Sequence, residues 1–259
     1  MRAHERVHTL CVAESPGYGR VASGGAKPTL GANSRIAPRR ERRDPVMAKR
    51  FPVVAAATLL ILSGSVGTAS AHGSVTDPPS RVYGCYERWG ENHQSPDMAT
   101  EDPLCHQAWE SNPKALWNWN GLYRNGVDGD HRRVIPDGQL CSAGRAQDGR
   151  YAAFDAVGEW KAAERPNDFT INVYDGARHG ADYYRVYITK QGFDPTLHPL
   201  GWGDLRVVAE SGPAEPAENT EITVNAGDRT GRHIVYTIWK ASHMDQTYYF
   251  CSDVIFEGR

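Results

Sequence analysis

The second half of the chain is built from short runs in which β-branched and aromatic residues alternate with polar ones. The runs are Phe169–Tyr174, Tyr183–Thr189, Leu205–Ala209, Thr220–Val224, His233–Trp239 and Tyr248–Phe256. Gly, Pro, Asn and Asp separate them, the punctuation expected between strands. A further strand is expected near His72–Val75. About seven strands of this kind predict an all-β fold, an immunoglobulin- or fibronectin III-like sandwich. Between about 77 and 165 the pattern changes. This stretch is rich in Pro, Gly, Asn and Asp, with at most short helical pieces such as Asp102–Trp109 and Pro113–Trp119. It is therefore expected to be a long, partly helical loop insertion after the first strand.

The N-terminal region carries a different pattern. From Met47 come Lys49-Arg50, an apolar run Val53–Leu62 and the small residues Ala69-Ser70-Ala71. A charged start, a short apolar core and an A-x-A end make a secretory signal peptide over 47–71, with cleavage expected after Ala71. The apolar run falls short of the roughly 20 residues of a membrane span, which disfavours a retained anchor. Residues 1–46 are Arg-rich and aperiodic and precede a complete signal with its own Met. They read as a non-native or mis-annotated extension, with translation starting at Met47. That leaves 72–259 as a single secreted, extracellular domain.

Charge is also divided unevenly. Residues 1–71 hold 11 of the 29 Lys and Arg and 4 of the 31 Asp and Glu, leaving the remainder at −9. Such a body repels nucleic acid and anionic lipid, so neither nucleic acid nor a membrane is expected as a partner after cleavage. A neutral polysaccharide stays open, and the domain is expected to be a monomer. Export also changes the meaning of cysteine. Cys85, Cys105, Cys141 and Cys251 lie after the cleavage point, and four cysteines allow three pairings. The favoured one is Cys85–Cys105, closing an irregular region, with Cys141–Cys251 tying mid-chain to the last strand. Loop entropy assigns these about 3 and 5 kcal/mol.

Cleavage after Ala71 would make His72 the first residue, offering both an α-amine and an imidazole Nδ1 to one metal ion. An amine with pKa near 8 holds its proton weakly enough to be displaced by a nitrogen-loving metal. Copper heads the stability order for such ligands, with zinc as a competitor. A second histidine is needed. His179 sits in Tyr174-Asp-Gly-Ala-Arg-His-Gly-Ala181, a polar loop between two strong strands, where sites are commonly built. His243, before the last strand, is its main competitor.

His72-Gly-Ser-Val after a signal peptide, Arg81-Val-Tyr-Gly-Cys85, Trp117-Asn-Trp-Asn-Gly-Leu-Tyr123, Ala177-Arg-His179 with Tyr187-Ile-Thr-Lys190, and Gln246-Thr-Tyr-Tyr-Phe-Cys-Ser-Asp-Val254 occur in that order. Together they resemble the bacterial lytic polysaccharide monooxygenases of auxiliary activity family 10, closest to actinomycete members active on cellulose and chitin. The resemblance covers essentially all of 72–259. It implies one copper ion per chain, held in a histidine brace by the amine and Nδ1 of His72 and Nε2 of His179. It also implies an external electron donor, with O2 or H2O2 as co-substrate, and oxidation of insoluble cellulose or chitin at C1 and as a second position C4.

The same resemblance places Ala177 and Tyr248 at the two axial sides of the metal and the polar Gln246 beside it, Tyr248 and Gln246 joining the histidines as catalytic residues. Tyr248 departs from the family's usual Phe, and Phe250, on the same strand face, takes its place if the register differs. In the loop beside the copper, Trp119, Asn120 and Tyr123 are expected to contact sugar, with about half of the rings there packing the loop. Two rival readings remain: a non-catalytic secreted carbohydrate-binding protein, which needs no free terminal histidine, and an extracytoplasmic copper carrier, which would be expected to offer more Met or His ligands than Met98 and Met244 add.

Overall fold

The computed structural model describes residues 72–258. The segments 1–46 and 47–71, and with them the expected signal peptide, lie outside the described residues. Among the described residues nine strands form two sheets: β1 (Gly73–Asp77), β2 (Tyr123–Arg124), β3 (Ala163–Arg165), β4 (Asp168–Asp175), β5 (Ala181–Thr189), β6 (Leu205–Glu210), β7 (Asn219–Asn225), β8 (Gly231–Ala241) and β9 (Thr247–Phe256). The smaller sheet has the order β1-β4-β7, and the larger β2-β9-β8-β5-β6 with β3 alongside β9. The expected sandwich and its seven principal strands are present. The short β2 and β3 were not expected.

Alternation explains the smaller sheet. In β4, Phe169, Ile171 and Val173 are buried while Asp168 and Thr170 are exposed, and Ile171 faces Ile222 across to β7. A period of two puts one apolar face inward. The central strands β8 and β9 are buried on both sides. Val235, Trp239, Tyr248, Phe250 and Val254 join the core between the sheets. Their neighbours Ile234, Tyr236, Ile238, Tyr249 and Cys251 join a second core beneath the insertion. The continuous apolar run Tyr248-Tyr-Phe-Cys251 is thus one strand serving two cores, and a slip of one residue would exchange them.

The insertion is more helical than the sequence reading anticipated. Besides α3 (Pro103–Ser111) and α4 (Pro113–Trp117), it contains α1 (Arg81–Trp89), α2 (Met98–Glu101) and α5 (His131–Val134). Ser80 caps α1, its Oγ accepting from Tyr83 N at 3.2 Å. Arg81 at the start of α1 forms a buried ion pair with Asp253 of β9, Nε to Oδ2 at 2.7 Å, and donates to the Phe154 carbonyl. Cys85–Cys105 joins α1 to α3, and Cys141–Cys251 pins the insertion to β9. The second bridge spans 110 residues and the first 20. Replacing Cys141 and Cys251 together by Ala is therefore expected to lower unfolding stability by about 2–5 kcal/mol, more than the same change at Cys85 and Cys105, measured by denaturant melts.

Candidate metal centre

β1 begins the site. Gly73 pairs with Asp175 of β4, its amide donates to the Asn120 carbonyl at 2.8 Å, and the His72 carbonyl accepts from Gly176 N at 3.0 Å. His72 is thereby held within one hydrogen bond of the loop that carries His179. Position 73 tolerates only glycine. A Cβ there would run into the Tyr174 carbonyl and come 2.5 Å from the Trp239 ring.

The β4–β5 loop is organised around Asp175, a residue the sequence reading did not single out. It is 1% exposed. Its carboxylate accepts from Ala177 N at 3.2 Å, from His179 N, and from Gly180 N at 3.2 Å. These charge-assisted bonds hold Arg178 at φ 54° and Gly180 at φ 70°. An Asp at a strand end before Gly-Ala-Arg-His-Gly is the signal that could have revealed it, since Asp side chains bond backbone amides just beyond themselves. Two further residues missed by sequence brace the loop from β8 and its exit: Trp239 Nε1 donates to the Gly180 carbonyl at 2.9 Å, and Ser242 Oγ donates to the His179 carbonyl at 2.8 Å. His179 itself is buried and its Nδ1 lies 3.9 Å from Asp175 Oδ1. His243 is exposed, with its ring 6.5 Å from that of His179. Ala177 is exposed on the same loop.

From the start of β9, Tyr248 and Gln246 reach the same end of the sandwich. The Tyr248 ring is fully buried and stacks on Trp239 at 4.5 Å, with Phe250 behind it at 6.1 Å on the same face. Its hydroxyl donates to Gln246 Oε1 at 2.9 Å. Burial, followed by the neighbouring Tyr123, pushes the Tyr248 phenol far above its ordinary range, so the hydroxyl stays protonated at neutral pH. The bond to Oε1 fixes the Gln246 side chain beside the phenol.

The segment 117–123 is tied to this end through the Asn120–Gly73 bond. Its rings divide. Trp117 is 47% exposed. Trp119 is half-buried, stacked on Tyr86 at 5.4 Å and packed against Tyr83 and Tyr174. Tyr123, also half-buried, lies 5.4 Å from Tyr248. Of the remaining tryptophans, Trp89, Trp160, Trp202 and Trp239 are buried and Trp109 half-buried.

Among the described residues no group of three or more His, Cys, Asp or Glu side chains is arranged to hold a metal ion. Two imidazoles make a site only with a ligand of another kind, which is what an α-amine at a processed His72 would supply. The donor set fits copper on chemistry: it is nitrogen-only and free of thiolate, since all four cysteines of the domain are paired. Among the described residues no helix is long and apolar enough to cross a membrane.

A β-sandwich with a lone histidine at the start of its first strand and a second on the adjoining β4–β5 loop defines a narrow class of metalloprotein. The chain belongs to the family of lytic polysaccharide mono-oxygenases, described as cellulose-degrading, whose sequence pattern it matches over residues 72–254. A solved lytic polysaccharide monooxygenase from Kitasatospora papulosa is 57% identical and superposes with a TM-score of 0.71, covering 73% of this chain and all of that one. The chitin-binding protein CbpD of Pseudomonas aeruginosa is 34% identical over 203 residues, 73% of this chain and 49% of that protein. A lytic cellulose monooxygenase of Streptomyces ambofaciens is 29% identical, over 85% of this chain and 62% of its own length. The chain thus spans about half to two-thirds of the length of these curated relatives.

Proposed function

We propose that the chain is exported, cleaved after Ala71, and acts outside the cell as a monomeric, copper-dependent monooxygenase on crystalline cellulose or chitin. The α-amine and Nδ1 of His72 and Nε2 of His179 hold the ion. The observation that carries this reading is the bond from Gly176 N to the His72 carbonyl, which sets the prospective N-terminus beside the His179 loop. The cellulose description of the family and the chitin-binding name of one relative leave both polymers as substrates to test.

Bound copper, reduced by an external donor, would supply activation of O2 or H2O2 for hydrogen abstraction at C1 or C4. The protein's own groups bind, orient and exclude. Ala177, exposed on the loop that carries His179, would limit access to the ion with its methyl. Tyr248 is a neutral phenol held by its bond to Gln246, whose amide would hydrogen-bond to the oxidant. Trp119, Asn120 and Tyr123 contact the polysaccharide, and the exposure of Trp117 adds a flat ring for the apolar face of a sugar. Trp119 has one face on Tyr86 and packs against Tyr83 and Tyr174, so it offers less free ring than Trp117.

The test is direct. Protein beginning at His72, loaded with copper and supplied with reductant, is expected to release oxidised oligosaccharides from cellulose, chitin or both, identified by mass spectrometry. Copper binding without oxidised products would instead favour a carrier, and polymer binding without copper a carbohydrate-binding protein.

A further inference from the structure

Next to β2 the chain makes a strained turn. Ala143, Arg145, Gln147 and Asp148 have φ of 54°, 58°, 54° and 57°, a left-handed conformation that non-glycine residues seldom adopt and keep only where their surroundings impose it. Here the surroundings are explicit. Arg124 Nη1 donates to the Ala143 and Gly144 carbonyls, both at 3.0 Å. Ser142 Oγ accepts from Arg145 N at 2.9 Å, Arg150 Nη1 donates to Gln147 Oε1 at 2.7 Å, and Gln147 Nε2 donates to the Gly121 carbonyl.

What the turn creates is a groove of about 420 Å³ against β2, lined by Tyr123, Asn125, Arg145, Gln147 and Asp148 together with Arg124. That is the scale of small-molecule clefts, about 300–1,000 Å³. Arg124 is engaged with the turn's carbonyls, so the balance of the wall is one exposed cation, one exposed anion, two amides and an aromatic ring. Arg145 and Asp148 offset each other and Arg124 is bonded to the turn's carbonyls, so the wall gives a phosphate or carboxylate no dedicated clamp. A lipid would need an apolar wall. Sugar hydroxyls are donors and acceptors at once. Asp148 can accept from them, Arg145 donate to them, and the amide of Asn125 do both, while Gln147 is held by Arg150 and Gly121.

Contacts link the wall of the groove to the candidate centre. Tyr123 lies 5.4 Å from Tyr248, and Gln147 is bonded to Gly121, next to the Asn120 carbonyl that receives the Gly73 amide. We propose that this groove is a second carbohydrate subsite, holding a neutral β-linked polysaccharide chain at the end of the 117–123 segment remote from Trp117. Arg145 and Asp148 are its principal hydroxyl partners. The inference rests on the polysaccharide activity proposed above and goes on to name residues that set how the chain lies across the centre.

The double variant Arg145→Gly/Asp148→Gly removes both side chains at positions whose backbone suits glycine. Adsorption isotherms on amorphous cellulose and β-chitin, copper titration and thermal melts are compared with the parent protein. The expected result is unchanged copper affinity and a melting temperature held or raised, with adsorption roughly tenfold weaker, as the loss of one or two net hydrogen bonds implies. The ratio of C1- to C4-oxidised products shifts with it. Unchanged adsorption and an unchanged product ratio overturn the subsite while leaving the activity intact. Should the glycine pair lower the melting temperature, Arg145→Asn/Asp148→Asn is read by the same criteria, since Asn also tolerates the left-handed region. A parent protein that neither adsorbs to nor oxidises either polymer fails at the functional reading itself, a separate outcome.

Discussion

A protein carrying one extra alanine ahead of His72 is expected to lose oxidative activity on polysaccharide while still adsorbing to it. The added residue turns the His72 amine into a peptide N–H, so the brace of one amine and two imidazoles around a single ion can no longer form. Among the described residues no third His, Cys, Asp or Glu side chain joins them. Copper affinity should fall by roughly three orders of magnitude or more, each order being about 1.4 kcal/mol. Isothermal titration and electron paramagnetic resonance report the loss without reference to turnover. His179→Ala should give the same result by removing the other arm. Retention of tight copper binding by both proteins would rule out the brace, whereas loss of polymer adsorption in the extended protein would mean that the terminus also carries substrate binding.

Asp175→Ala is expected to have the second-largest effect, and on both stability and metal binding. The side chain is buried, and its carboxylate accepts from three consecutive-loop amides, those of Ala177, His179 and Gly180. Removing it strands buried N–H groups, at a cost of about 3 kcal/mol. It also frees a loop in which Arg178 sits at positive φ, so His179 loses its fixed position. A drop in copper affinity of about 10–100-fold is expected, the range seen when groups that orient metal ligands are removed. Asp175→Asn keeps one acceptor and should recover part of both losses. If Asp175→Ala melts lower but binds copper as tightly as the parent, the carboxylate supports the fold without positioning the ligand.

The sandwich was legible because its strands advertise themselves. Phe169-Thr-Ile-Asn-Val-Tyr alternates cleanly, and β4 buries the apolar half. Helix α1 was not legible. Arg81-Val-Tyr-Gly-Cys-Tyr-Glu-Arg-Trp has glycine at its middle and few strong helix formers. It forms because tertiary contacts hold it, through the Cys85–Cys105 bridge and the Arg81–Asp253 pair. At the site, the two histidines could be picked out by position, one after a cleavage motif and one in an inter-strand loop. Asp175 left one trace, an Asp at a strand end just ahead of a polar loop, whereas Trp239 and Ser242 left none, because they act on loop backbone rather than on any ligand. The exposure of Trp117 and the packing of Trp119 were likewise undecidable from two tryptophans one residue apart.

Gly73 opens the first strand. Its amide is bonded to Asn120, it is paired with Asp175, and the indole of Trp239 lies against its α-carbon. None of this requires the side chain of the residue before it. An aminopeptidase that removed His72 from the proposed mature form would take the Gly176 bond with it but leave these contacts and both disulfides, and so a folded protein without the proposed brace. Such a clipped form would be a competitor for its own intact siblings on the polymer surface, invisible to any assay of folding and apparent only in the mass of the N-terminal peptide.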